Sequence, residues 1–185
     1  MARILADLTQ IPASGFPMQS PSSLPSLPES LWDFSLAFYA KPGVEDCCLQ
    51  LQDNYRVNVN VLLWCVWLGF RGYELNQVYL DEALALISPW DNHYVRPLRD
   101  LRRQMKVEFG TGDAGVEAAR TTIKQAELQA ERQLQHWLEQ RVKQWGTPST
   151  ANRQTLSKNI HVYLASLGIA KQVITQVEEL INQLL

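Results

Sequence analysis

"CCLQLQDNYRVNVNVLLWCVWLG", Cys47 to Gly69, is the stretch on which the fold turns. Its second half is almost wholly apolar, and two asparagines, Asn58 and Asn60, stand at its mouth. Val57-Asn58-Val59-Asn60-Val61 alternates like a half-buried strand. The chain offers no second strand candidate, and a lone strand has no partner for its ladder. The stretch is therefore read as a helix. Asn58 is its N-cap, and Val59 to Leu68 is apolar nearly all round, as the central helix of a bundle must be. Asn60 falls in the first turn, and Gly69 and Gly72 bracket the exit. The apolar run Val59 to Phe70 is 12 residues, too short for the roughly 20 that a membrane span needs.

Upstream, Val44, Cys47, Cys48, Leu51 and Tyr55 recur at helical spacing, with Glu45 and Asp46 in the first turn, where the helix dipole favours them. Ser30 and Asp33 have N-cap and N3 spacing. They open a helix with two apolar stripes, Leu31, Phe34, Phe38 and Trp32, Leu36, Tyr39, which Lys41-Pro42-Gly43 ends. Before it, residues 1–29 hold five of the nine prolines, and serines fill the gaps. Proline removes donors and serine adds no core. This head is expected to be a disordered, linker-like tail, with Met18 an alternative start.

Downstream, Asn76 caps a fourth helix, with Leu75 and Leu80 at staple positions and Val78, Leu84 and Ile87 adding apolar surface. Ser88-Pro89-Trp90-Asp91 reads as a restart, with a cap, then proline at N1, then an acid at N3. Pro97 is expected to kink or split the fifth helix near Arg96. The loop Gly110 to Gly115 leads into a long helix from about Ala114 to Trp145. There Val116, Ile123, Ala130 and Trp137 stand seven apart, and Leu134, Leu138 and Val142 form a second stripe. Two more helices are expected, about Arg153 to Leu167 and Ile169 to Leu184, jointed at Gly168. They form a C-terminal hairpin over 147–185 that either folds back on the 30–146 bundle or binds another chain. The fold class is thus all-α, a helical bundle with a C-terminal helical hairpin.

The 185 residues suffice for one buried core. A net charge of -2 calls for neither nucleic acid nor membrane as bulk partner. Three cysteines, two of them adjacent, do not make a disulfide framework. They read as reduced, buried thiols of a cytoplasmic protein. Arg3 precedes only a weak apolar stretch that Asp7 interrupts, so no secretory leader is read there.

The residues Leu31-Trp-Asp-Phe-Ser-Leu36, Tyr39, Pro42-Gly-Val44, Cys48-Leu-x-Leu-Gln-Asp53, Asn58-Val-Asn60 and Leu63-Trp64 carry a resemblance. Over about residues 30–145 the chain resembles a family of small uncharacterised proteobacterial proteins, the domain of unknown function DUF2390. The resemblance implies an all-helical bacterial cytosolic protein. It implies no activity and no catalytic residues.

Two constellations remain as candidate sites. Arg96, Arg99, Arg103 and Lys106 fall three to four apart, with Arg102 alongside and only Asp100 opposing them. Such a helix face suits an acidic protein or nucleic acid, and makes a non-catalytic adaptor the leading functional reading. The bland reading is internal neutralisation, since residues 29–57 and 71–95 each carry a net -3 (five acidic against two basic, four against one). The second constellation is Asp33, Asp53, Asn58 and Asn60, with Gln52 and Asn54. These either line a small-ligand or enzymatic pocket or serve as caps and register-setting hydrogen bonds. No metal or other cofactor is expected. Cys47, Cys48, Cys65 and His93 lack ligand spacing, and Gly110 to Gly115 has no preceding strand and no lysine after it to cradle phosphate. The aromatic residues read as core.

Overall fold

The computed structural model describes residues 30–184. The proline-rich head lies outside them. The described chain is helical throughout and contains no strand: α1 Leu31–Tyr39, α2 Val44–Tyr55, α3 Val59–Phe70, α4 Gln77–Trp90, a π-helical turn Asp91–Val95, α5 Arg96–Phe109, α6 Ala114–Val142, α7 Arg153–Ser166 and α8 Lys171–Gln183.

α3 is the axis of the molecule. Asn58 caps it as expected, its side chain accepting from the Asn60 N–H, and every residue from Val59 to Gly69 is buried. Such a helix needs neighbours on all sides. It has α1, α6 and, most extensively, α7. Gly69 makes the α7 contact. A Cβ placed there would stand 2.6 Å from the Leu156 backbone, so only glycine allows the helices this close. The buried amide of Asn159 on α7 accepts from the Leu75 N–H at 2.8 Å and donates to the Tyr73 carbonyl at 2.9 Å, satisfying the turn that leaves α3. The two C-terminal helices therefore fold back on the bundle, α8 covering α7 and touching α2.

The capping chemistry of two other elements also matches the sequence. Ser30 accepts from the Asp33 N–H, and Asn76 accepts from Tyr79 N–H with Leu75 and Leu80 buried on either side. Asp113, not singled out from the sequence as a cap, caps α6 by accepting from the N–H groups of Gly115 and Val116.

Four expectations are corrected. Ser88 does not cap a new helix. α4 runs through Pro89 to Trp90, and the Ser88 hydroxyl donates back to the Leu84 carbonyl. The indole of Trp90, donating to the Ala130 carbonyl at 2.9 Å, ties this last turn to α6. The break comes at the π turn instead. The Arg96 N–H bonds the Asp91 carbonyl five residues back, which widens the helix just ahead of Pro97, where a proline ring would crowd the preceding turn. Val78 and Tyr55 lie on solvent faces, 63% and 41% exposed, because the burying neighbours lie on the other side of each helix. On α6 the inward stripe is Glu127, Ala130, Glu131, Leu134, Gln135, Leu138 and Val142. Val116, Ile123 and Trp137 are only half-buried, and the helix ends at Val142, short of Trp145.

Candidate functional site

The predicted basic face divides in two. Arg99 and Arg102 turn inward toward α6. Arg99 donates through Nε to Glu127 at 3.1 Å and through Nη2 to Glu131 at 2.6 Å. Arg102, itself 8% exposed, donates to both oxygens of Glu127 at 2.6 and 3.3 Å. Both glutamates are fully buried. Burial by itself would raise the Glu127 carboxyl. The hydrogen bond from Arg102 and the charges of Arg102 and Arg99 outweigh it and hold the group below the usual carboxylate range. Burial would likewise lower Arg99, but Glu131 and Glu127 hold its guanidinium above its ordinary value. These two arginines are structural partners of α6 rather than an open cationic surface.

Arg96 and Arg103 face outward, and they meet the other predicted constellation. α2 ends in a left-handed turn at Arg56 (φ 55°), closed by Arg56 N–H to Gln52 carbonyl and Val57 N–H to Leu51 carbonyl bonds. This C-terminal motif ordinarily uses glycine. Arg56 is the one non-glycine residue with positive φ among the described residues. The turn brings Asp53, Arg56 and Asn58 opposite the π turn and the start of α5. Between them opens a cleft of about 380 Å³ lined by Gln52, Asp53, Arg56, Val57, Asn58, Asp91, Arg96, Arg99, Asp100 and Arg103. Arg103 bonds Asp53 across it at 3.2 Å, and Arg96 bonds Asp91 at 2.8 Å. Asp91 is buried, and its second oxygen has no partner within hydrogen-bond distance. At the floor, the Asn58 N–H donates to the Tyr163 hydroxyl at 2.9 Å, anchoring the cleft wall to α7. Burial pushes the Tyr163 hydroxyl up, so it stays protonated.

Asp33 does not reach this cleft. It is engaged with Ser30 on α1. Asn60 lies behind the wall, fully buried, its side-chain Oδ1 accepting from Gln135 Nε2 at 2.9 Å. Lys106 stands exposed further along α5. Cys48 and Cys65 are buried and Cys47 half-buried, and no group of three or more potential metal ligands occurs among the described residues.

Glu127, Glu131 and Gln135 were not singled out from the sequence. Their signal was available. They recur every four residues on the stripe that carries Leu134 and Leu138, and a hairpin turning at Gly110 to Asp113 brings them against α5 and its arginines.

A helical bundle with a polar, arginine-bearing cleft at one end defines the class: an all-α protein with a polar surface cleft. Within that class, residues 30–138 match the family model described as "Protein of unknown function (DUF2390)", and the chain belongs to that family. Neither the curated proteins nor the solved structures return a match. The matched region ends within α6, yet α7 supplies the longest contact to the central helix.

Proposed function

We propose that this chain is a ligand-binding protein whose working site is the α2–α5 cleft, and that its ligand presents an anionic group to Arg56, Arg96 and Arg103. One observation carries the reading. The two irregular pieces of backbone, the left-handed Arg56 and the π turn at Asp91–Val95, converge on the same cleft. A left-handed arginine costs about 1 kcal/mol relative to a permissive residue. Departures of this kind accumulate where a site requires them. Guanidinium groups suit carboxylate and phosphate because their planar fork donates two parallel bonds. Arg96 and Arg103 are each held by an aspartate, which orients them. Among the described residues no carboxylate lies within ion-pair distance of Arg56. A broad cationic face for an acidic protein or nucleic acid has less support, since Arg99 and Arg102 already serve Glu127 and Glu131.

The test is thermal unfolding of wild type and Arg56→Gln/Arg103→Gln in inorganic phosphate, in citrate, and in sodium chloride at matched ionic strength. A ligand at about 100 times its Kd stabilises the native state by roughly 2.7 kcal/mol. A saturable rise with phosphate or citrate, absent in the double variant and in chloride, supports the reading. Equal shifts in chloride, or an unchanged response in the variant, refute it.

A further inference from the structure

From Arg103 to Ala126, across the end of α5, the loop and the first turns of α6, no side chain is buried. Just below, Arg102 and Glu127 close the interior. The segment is a two-helix arm standing off the bundle. It carries Val107 at 86% and Phe109 at 60% exposure, and Leu101 at its root is 46% exposed.

Its charges are ordered along its length. From tip to root, α5 reads Glu108, Lys106, Arg103, and α6 reads Asp113, Glu117, Arg120, Lys124. Both helices run from acidic to basic. The helix dipole explains Asp113 and Glu117 at the start of α6, but it opposes Glu108 in the last turn of α5. A gradient shared by both helices is complementary to itself when reversed.

We infer that the arm docks a second copy of this chain, arm against arm and antiparallel. A two-fold axis then sets each acidic tip against the other copy's basic root, twice, while a parallel pairing sets like against like. Some of these charges already have intrachain contacts, such as Arg103 with Asp53 and Arg120 with Glu117. The Arg103–Asp53 pair is exposed and contributes little, so exchanging its partner is cheap, whereas Arg120 is half-buried against Glu117 and opens from it to pair across the interface. The driving force is the covering of Val107, Phe109 and Leu101, with the charges setting direction. The inference shares only Arg103 with the cleft, and its test leaves that residue unchanged.

The test is sedimentation velocity of the full chain over a concentration series, after circular dichroism shows each protein folded. Two charge variants are compared with wild type: Glu108→Lys/Glu117→Lys at the tip and Arg120→Glu/Lys124→Glu at the root. Wild type is expected to dimerise, with affinity falling about ten-fold or more in high salt, where screening shortens to roughly 3 Å. Each variant alone should be monomeric, because its tip and root then carry the same sign. Their equimolar mixture should dimerise again. Val107→Ser/Phe109→Ser, which leaves every charge in place, should also lose the dimer. A wild type that stays monomeric, a dimer that survives in both charge variants, or a mixture that does not recover would overturn the inference.

Discussion

Removing the Glu127 side chain should be among the most damaging single changes in this protein. Glu127 is fully buried and accepts three hydrogen bonds, one from Arg99 and two from Arg102. In Glu127→Ala, Arg99 retains Glu131, but Arg102 loses its acceptor while 8% exposed. An uncompensated buried charge of this sort costs about 3–5 kcal/mol. Typical domains hold only about 5–15 kcal/mol in total, so the variant should approach the edge of folding. Replacing both partners, as in Arg102→Leu/Glu127→Leu, removes the charge together with its counterpart. Apolar replacement of a whole buried pair is often neutral or better, so this double variant should be more stable than Glu127→Ala. The assay is urea unfolding followed by the fluorescence of the six tryptophans, with m-values compared to confirm a common unfolded state. A loss below about 1 kcal/mol for Glu127→Ala, the level of an exposed pair, would refute the assignment of a desolvated arginine–glutamate network. So would a double variant weaker than the single one.

Three further outcomes follow from named contacts. Because the folded state holds the Glu127 carboxyl below its ordinary range, its contribution is present above the ordinary value and is lost as pH falls through the lower folded value. Acid titration by circular dichroism should show wild type losing stability below about pH 4.3, with a shallower loss in Arg102→Leu/Glu127→Leu; parallel curves would contradict this. Burial raises all three thiols, and Cys48 and Cys65 are buried while Cys47 is half-exposed. Native labelling with a disulfide reagent near neutral pH should therefore modify Cys47 slowly and the other two only on unfolding, with the stoichiometry read by mass spectrometry. Gly69→Ala should cost about 1–3 kcal/mol by forcing α7 away from α3, whereas Gly112→Ala, with nothing near its Cβ position, should fall within about 0.5 kcal/mol of wild type in the same urea assay.

The amino-acid sequence by itself determined the helical class, the central helix and most helix starts. Those properties are local. A side chain such as Ser30, Asn58 or Asn76 bonds a backbone N–H two or three residues on, and an apolar run such as Val59 to Leu68 must be enclosed whatever encloses it. The same logic failed at Ser88, where a good local cap was overruled because α6 holds Trp90 in a continuing helix. It failed again at Val78 and Tyr55, since helical spacing does not say which side of a helix meets a neighbour. What the arginines do was decided only by tertiary structure. Arg96, Arg99, Arg102 and Arg103 are nearly equivalent along the chain. Arg99 and Arg102 became interior groups because α6, folding back through the 110–113 turn, presents Glu127 and Glu131 to them. Arg96 and Arg103 became cleft groups because the end of α2, distant in sequence, arrives opposite them. Desolvation and pairing across such distances depend on how separate helices pack, which no local pattern records.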